Sequence, residues 1–311
     1  MTFAIREATA ADAPGIRQLF ARTFGAELSD AEWSWKFEQD PDGWYAIVAE
    51  EAGEIVANYA GWGMRFSLEG QETLLYSVGD VATDRRARGL GKDVYRAMAG
   101  AFYETVGARG VPFCFGFPNA RALAISHRLI GSRTLFPVRE VRLPVISLPP
   151  PPAAAQSGEF VGEAFDALWA SSRGSIRSGA WRDRARANWR FHARPSRYYR
   201  MVWVDGPRGM TSWATLSVTG ERALVADWLA VEGGAALPEL LAAAASEASK
   251  LGARELVLWE TPGGPGRDAI SRLPGERADA GFPLIVRSFD DDAVRRFSEA
   301  AHMVPALYDL V

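Results

Sequence analysis

One segment of this 311-residue chain occurs twice. Trp35, Lys36, Phe37, Pro41, Trp44 and Tyr45 are matched in type by Trp189, Arg190, Phe191, Pro195, Tyr198 and Tyr199, 154 residues further on. Chance is a poor explanation of such a match, although two copies are fewer than the roughly three that a solenoid requires. The consequence for the fold is severe: both halves should carry the same succession of elements. In the first half, Thr2–Glu7 reads as a strand, and Thr9 to Asp12 caps a helix with Ile16, Leu19 and Phe20 on one face. A second helix from about Asp30 should bury Trp33 and Phe37, and Asp40 to Gly43 has turn chemistry. Three strand-like runs follow, Trp44–Glu50, Ile55–Phe66 and Thr73–Ala82, which short polar turns join into a meander. A helix, an apolar strand over Val111–Phe117, a helix over Asn119–Ile130 and closing strands over Thr134–Ile146 complete the half. In the second half, strands are expected at Met201–Asp205, Thr211–Val218, Ala223–Ala230 and Glu255–Glu260, with a helix at Pro238–Leu251. Asp227 and Trp228 echo Asp80 and Val81. Between the halves, residues 148–158 include the four consecutive prolines Pro149 to Pro152, a stiff, extended composition. The expected division is therefore a domain over 1–147, a proline-rich linker over 148–158, and a second domain over 159–311.

The chemistry concentrates between Tyr76 and Lys92. A strand ends near Val81, a basic loop with two glycines follows, and an amphipathic helix begins, with Leu90, Val94, Ala97, Met98, Ala101, Phe102 and Val106 recurring every three or four residues. The first turn of such a helix leaves backbone N–H groups without partners, and its dipole adds positive potential, so the turn suits an anion. Gly89 and Gly91 let the backbone approach a ligand where a Cβ would intrude. Spacing excludes two familiar phosphate loops: there is no Gly-x-x-x-x-Gly-Lys-Ser/Thr, and no Gly-x-Gly-x-x-Gly with a later acidic partner. What stands here is Arg86-x-x-Gly89-x-Gly91, preceded by Val81-Ala-Thr83-Asp84.

That hexapeptide resembles the acetyl-CoA pyrophosphate signature of the GNAT N-acetyltransferase superfamily, and the element order of residues 1–147 resembles the family's as well. The resemblance implies an α/β fold of the mixed-sheet, α+β kind, in which the fourth and fifth strands splay and the pantetheine of acetyl-CoA enters the gap. It implies that backbone groups of Val81 and Thr83 bond the pantetheine amides. Backbone N–H groups of Arg86, Ala87, Arg88, Gly89, Leu90, Gly91 and Lys92 would hold the pyrophosphate, with the Arg88 and Lys92 side chains adding charge-assisted contacts. The Val81 N–H would polarise the thioester carbonyl, and Asn119, after the fifth strand, would contact the pantetheine. In one respect the chain departs from the family: the helical tyrosine that serves as general acid is missing, and the neighbouring counts fall on Ser126 and His127. His127 can donate a proton near neutral pH, or be an ordinary surface histidine beside Arg128. Asp80, one residue before Val81, can act as general base, orient an acceptor ammonium, or cap the loop.

In the second half the loop does not recur. Val231 to Pro238 contains no arginine, and Glu232 would repel a pyrophosphate, so this half reads as a GNAT-like copy that has lost cofactor binding. Its run of arginines from Arg173 to Arg200 is expected to be a solvated face, and its seven tryptophans a core. A formal net charge of -3 argues against wholesale binding of nucleic acid. With Cys114 alone no intrachain disulfide can form, which fits a reducing, cytoplasmic setting, and Cys114 itself sits in an apolar run as a buried small side chain. One cysteine and three histidines make a Cys/His metal site improbable. No apolar run approaches the roughly 18 residues that a membrane span requires. The expected activity is transfer of acetyl from acetyl-CoA to a primary amine of a small molecule, by a monomer or homodimer. The readings weighed beside it are a non-catalytic acyl-CoA sensor, and acylation of a protein or RNA-linked amine.

Overall fold

The structure, a computed structural model, describes residues 3–25, 27–85, 91–159, 162–231, 234–260 and 262–308. In chain order the first elements are β1 (Ala4–Glu7), α1 (Ala13–Phe24), α2 (Asp30–Trp33), β2 (Trp44–Glu51), β3 (Glu54–Leu68), β4 (Gln71–Thr83), α3 (Gly91–Ala108), β5 (Phe113–Gly116) and α4 (Ala120–Ile125). Then come β6 (Arg133–Pro144), β7 (Ala155–Gly158), α5 (Ala164–Ser172), β8 (Ser178–Ala180), α6 (Arg184–Ala187), β9 (Arg200–Gly206), β10 (Gly209–Thr219) and β11 (Arg222–Ala230). The chain closes with α7 (Leu237–Lys250), β12 (Glu255–Trp259), α8 (Arg267–Ser271), β13 (Glu276–Ser288), α9 (Asp291–Ala300) and β14 (Ala301–His302).

Two compact units form, and they do not follow the halves of the sequence. The first comprises Met1–Met64, Leu74–Leu135 and Leu284–Val294; the second comprises Arg65–Thr73, Phe136–Pro283 and Arg295–Val311. The division expected at the proline-rich segment is thus corrected in two places. Ala155–Gly158 are not spacer but an edge strand, β7, antiparallel to β9 with Ala155 opposite Val204. The four prolines have no N–H to give a ladder, whereas the residues after them do. The end of β13, 284–288, belongs to the first unit, where Ile285 to Ser288 run antiparallel to β5 from Gly116 to Phe113. A buried strand such as β5 needs a ladder partner on both edges, and this segment supplies the second.

Within the first unit, β1, β2 and β3 pair antiparallel, β4 lies beside β3, and β4 meets β5 in parallel. One face of this sheet packs Ile16, Leu19 and Phe20 of α1, with Trp33, Phe37 and Trp62. The other packs Tyr45, Tyr59 and Tyr76 against Met98, Phe102 and Val106 of α3. Of the stripe expected on α3, Ala97 is exposed, and Tyr95, Ala99 and Tyr103 turn inward beside Met98 and Phe102. Cys114 is buried in this core, and burial pushes its thiol up, away from the reactive thiolate.

In the second unit, α6 is capped as α2 is in the first. Ser29 caps α2 and Asp183 caps α6, each accepting from the backbone N–H three residues on. Both short helices then widen into a five-residue π-helical turn, Ser34–Glu38 and Asn188–His192. Such turns are rare and mark places where a side chain is re-aimed. Of its tryptophans, Trp169, Trp213, Trp228 and Trp259 are buried, and Trp169 and Trp213 pack with Phe165, Phe191 and Leu229. The arginine run is corrected. Arg182, Arg186 and Arg190, four residues apart, are buried, not solvated. Arg182 Nε donates to the Asp227 carboxylate at 2.8 Å and its Nη1 to the Ala180 carbonyl at 2.9 Å.

His302 is buried in this unit with its ring edge-on to Trp228 at 4.5 Å. Burial, reinforced by the positive field of Arg182, holds its pKa well below the usual 6.5. Unfolded chains therefore take up a proton that folded ones refuse, and stability should fall as pH drops below about 6.5, by at most roughly 1.4 kcal/mol per pH unit. Urea denaturation between pH 7 and pH 5 tests this. A His302→Phe variant should lose that part of the slope, and an unchanged slope would refute the assignment.

Candidate active site

The centre of the first unit is a fault in β4. Leu74, Tyr76 and Val78 alternate onto the face beneath α3, as a regular strand requires. Val81, three residues after Val78, packs onto the same face, while Ala82 joins the opposite core. Only an inserted residue can do that, and Asp80 is the residue, with φ at +51°. Aspartate is among the few side chains that tolerate the left-handed region. The backbone carbonyl displaced there accepts a hydrogen bond from Asn58 Nδ2 at 2.9 Å, and Asn58 is 1% exposed. The parallel ladder between β4 and β5 pairs Tyr76 with Cys114 and Ser77 with Phe115, and among the described residues it goes no further than Ser77. The strands thus separate just before the bulge. In the second unit, too, the β11–β12 ladder ends at Leu224 and Val257, and the β10–β11 register skips Ala226, beside Asp227.

The Asp80 side chain lies on the α2 side of the sheet. Lys36 Nζ stands 3.0 Å from one carboxylate oxygen and 3.2 Å from the other, and both side chains are 12% exposed. The same ammonium sits 4.4 Å above the Trp62 ring, a cation–π contact that offsets part of its desolvation. Gly79 lies beside it, where a Cβ would come within 3.1 Å of the Trp62 ring and crowd it. Lys36 stands in the π-helical turn after α2 and Arg190 in its counterpart after α6; Lys36 meets Asp80, whereas Arg190 donates to the Tyr308 carbonyl at 3.0 Å. Four residues after Asp80, Asp84 is held by Arg22 Nε at 2.9 Å.

Of the residues the sequence singles out, Asp80, Val81 and Thr83 come together at the end of β4. Arg86, Ala87, Arg88, Gly89 and Leu90 lie outside the described residues; Gly91 and Lys92 open α3. Asn119 caps α4, its Oδ1 accepting from the Ala122 N–H at 3.0 Å, so only its amide N–H groups remain to meet a ligand. His127 is exposed in the π-helical turn Ser126–Ile130 and shares a 3.2 Å hydrogen bond with the Thr134 hydroxyl. On α3, Tyr95 lies edge-on to Tyr59, their ring centroids 5.6 Å apart. Lys36, Asn58 and Tyr95 were not among the candidates drawn from the sequence. Lys36 had a signal there, as its counterpart in the repeat is the cation Arg190; Tyr95 had none beyond an aromatic at a core spacing. Among the described residues no group of three His, Cys, Asp or Glu side chains is placed to hold a metal ion, and no helix is long and apolar enough to cross a membrane.

Residues 4–128 match the family model for the acetyltransferase (GNAT) domain. No curated protein sequence matches the chain. Among solved structures, a conserved protein of Enterococcus faecalis described as a probable N-acyltransferase is similar, with a TM-score of 0.73 at 12% identity over 96% of this chain and 74% of its own. A GCN5-related N-acetyltransferase of Anabaena variabilis gives 0.70 at 13% identity, over 94% and 74%. N-myristoyltransferase of Saccharomyces cerevisiae, bound to myristoyl-CoA, gives 0.58 at 11% identity, over 92% and 79%. At these identities the likeness is one of fold: a mixed α/β architecture with a mixed sheet. Residues 4–128 are thus similar in sequence to the GNAT acetyltransferase domain, and the chain is similar in fold to solved structures of N-acyltransferase and N-acetyltransferase description.

Proposed function

We propose that the protein is an acyl-CoA-dependent N-acyltransferase that moves acetyl from acetyl-CoA to the primary amine of a small molecule. The observation that carries this is the separation of β4 from β5 after Ser77 and Phe115, with the bulge at Asp80 beside it and the start of α3 a few residues on. A parted ladder exposes main-chain donors and acceptors that an extended, amide-bearing chain such as pantetheine can satisfy. A helix start in line with it suits the pyrophosphate. In this reading Val81 and Thr83 bond the pantetheine through their backbones, the segment from Arg86 to Lys92 holds the diphosphate, and the Val81 N–H faces the thioester oxygen. Asp80 takes the proton of the attacking amine. Lys36 holds that carboxylate by charge until an acceptor arrives, and an acceptor ammonium would compete with it for the same oxygens. Attack is direct: the C–N bond forms, the C–S bond breaks, and no covalent enzyme intermediate is needed.

The tandem arrangement belongs to the same reading: the second unit is a GNAT-like copy whose counterpart of the loop, Val231 to Pro238, no longer takes a diphosphate. Loss of that function agrees with the burial of Asp227 against Arg182, which leaves the copy's acidic residue no free face for a substrate.

The test is thiol release on mixing the protein with acetyl-CoA and a panel of small amines, alongside calorimetric binding of CoA. Turnover with at least one amine is expected, and replacing Gly89 and Gly91 together by Val should weaken CoA binding at least roughly tenfold, because side chains would block the approach of backbone amides. Binding of acetyl-CoA without turnover on any amine would favour the sensor reading. Failure to bind CoA at all would remove both.

A further inference from the structure

Four polar side chains follow one another along the face of the first unit that carries α1 and α2. Asn58 and Trp62 stand on that face of β3, since Val48 and Trp44, opposite them in the ladder, pack into the core beneath those helices. Asp80 and Lys36 connect the two. Asn58 Nδ2 donates to the Asp80 backbone carbonyl at 2.9 Å, and Lys36 Nζ lies 3.0 Å from the Asp80 carboxylate and 4.4 Å above the Trp62 ring. Among the described residues, Asn58 Oδ1 and Trp62 Nε1 have no hydrogen-bond partner, although both are buried, in residues 1% and 6% exposed. A buried donor or acceptor left unmet is costly, and native proteins seldom leave one without water or a ligand to meet it. From Asn58 onward the row thus presents an acceptor, an acid, a cation and a donor.

We infer that the acceptor amine also carries a carboxylate, as a short amino acid does, with its ammonium on Asp80 and its carboxylate on Lys36 and the Trp62 N–H. This rests on the transferase reading above and deepens it. The reason is charge balance. Lys36 and Asp80 neutralise one another, and each side chain is only 12% exposed. A plain amine would bring a further positive charge beside Lys36 in a poorly solvated place, where like charges repel strongly. A zwitterion adds no net charge and meets the pair in alternation, cation to acid and acid to cation. It also supplies what the two buried atoms lack, an N–H for Asn58 Oδ1 and an oxygen for Trp62 Nε1. Because the charges of the pair are 3.0 Å apart, those of the ligand must be close as well. That selects an α- or β-amino acid over an amine with a distant carboxylate. A phosphate in place of the carboxylate would leave an excess of negative charge. After transfer the nitrogen is a neutral amide, which no longer competes for Asp80, and the ion pair closes as the acetylated product leaves.

The experiment measures thiol release from acetyl-CoA with amines in matched pairs, each amino acid beside its carboxamide: glycine, alanine, leucine, phenylalanine and β-alanine. If no amine of this set or of the wider panel is turned over, the transferase reading fails and this inference with it. Given turnover, kcat/KM for the best amino acid should exceed that of its carboxamide by roughly ten- to hundredfold, the worth of a charge-assisted hydrogen bond. The amine of a carboxamide is the more easily deprotonated, so such a preference runs against intrinsic reactivity. In Lys36→Met the ratio should shrink to within about threefold, chiefly through a higher KM for the amino acid, and in Trp62→Phe it should fall by at least about threefold. A base merely displaced by the loss of Lys36 would lower kcat for both members of a pair alike and leave their ratio as it was. Circular dichroism and melting curves verify that the variants are folded; should Lys36→Met not fold, Trp62→Phe decides. Turnover confined to amines without a carboxylate, a wild-type ratio below about threefold, or a ratio that survives the substitution in a folded variant would each overturn the inference and leave the transferase reading intact.

Discussion

In an Asp80→Asn variant, acetyl transfer is expected to fall by roughly a hundredfold to ten-thousandfold in kcat, the range over which a positioned base operates. The substitution is chosen to isolate charge. Asparagine tolerates the left-handed backbone at this position as aspartate does, so the bulge, with φ at +51° and its carbonyl held by Asn58, should persist. What disappears is the carboxylate that stands 3.0 Å from Lys36 and can take a proton. Acetyl-CoA affinity should hardly change, because the contacts assigned to the donor run through backbone groups of β4 and the start of α3. Lys36→Met gives a useful comparison. It leaves the carboxylate but removes its anchor, and a smaller loss, on the order of tenfold, is expected from a base that is present but less well placed. If Asp80→Asn retains more than half of wild-type kcat, Asp80 is an architectural residue of the bulge. The proton must then leave by another route.

The largest effect on stability should come from Arg182→Ala. In the second unit Asp227 is buried and accepts from Arg182 Nε at 2.8 Å and from the Trp228 N–H at 2.8 Å. The guanidinium is buried too, its side chain 1% exposed, and it also satisfies the Ala180 carbonyl. Whether such a pair stabilises the fold more than two apolar side chains would is doubtful on general grounds, since both ions have been taken out of water. Removing one partner is another matter, because it leaves the other charge buried; losses of about 3–5 kcal/mol are typical. Arg190 contributes a second positive field at Asp227, without which the loss would be larger still. A double variant, Arg182→Met with Asp227→Asn, should recover part of the loss, as no buried charge then lacks its counter-ion. Urea midpoints of the two variants decide the matter. A loss below about 1 kcal/mol for the single change would mean that water reaches Asp227 and that the pair is worth no more than a surface one.

These two residues also mark the limit of what could be read along the chain. Asp80 and Asp227 could be paired from the sequence, and so could Lys36 and Arg190, through the repeated tryptophan–cation–phenylalanine segment. That Lys36 meets Asp80 could not, because the two are separated by 44 residues and only folding brings them together. The arginines at 182, 186 and 190 looked like a solvated helical face. Helical spacing says which side chains share a side, not whether that side meets water or a buried acid. His127 was the histidine nearest in count to the missing tyrosine, yet it lies exposed in a π-helical turn, bonded to the Thr134 hydroxyl. One extra residue per turn is invisible in a pattern of polar and apolar residues.

Local pattern was sufficient for the meander of β2, β3 and β4, for the helix that follows it, for the burial of Cys114, and for the likeness of residues 4–128 to a GNAT domain. Each of these depends on contacts a few residues apart, or on a short signature, and both are written in consecutive side chains. The tertiary structure alone decided that β13 ends beside β5, that the residues after the prolines join a sheet as β7, and that β4 bulges at Asp80 and parts from β5. These outcomes rest on ladder partners and packed faces drawn from distant parts of the chain, where each backbone group takes whichever partner the fold brings within about 3 Å.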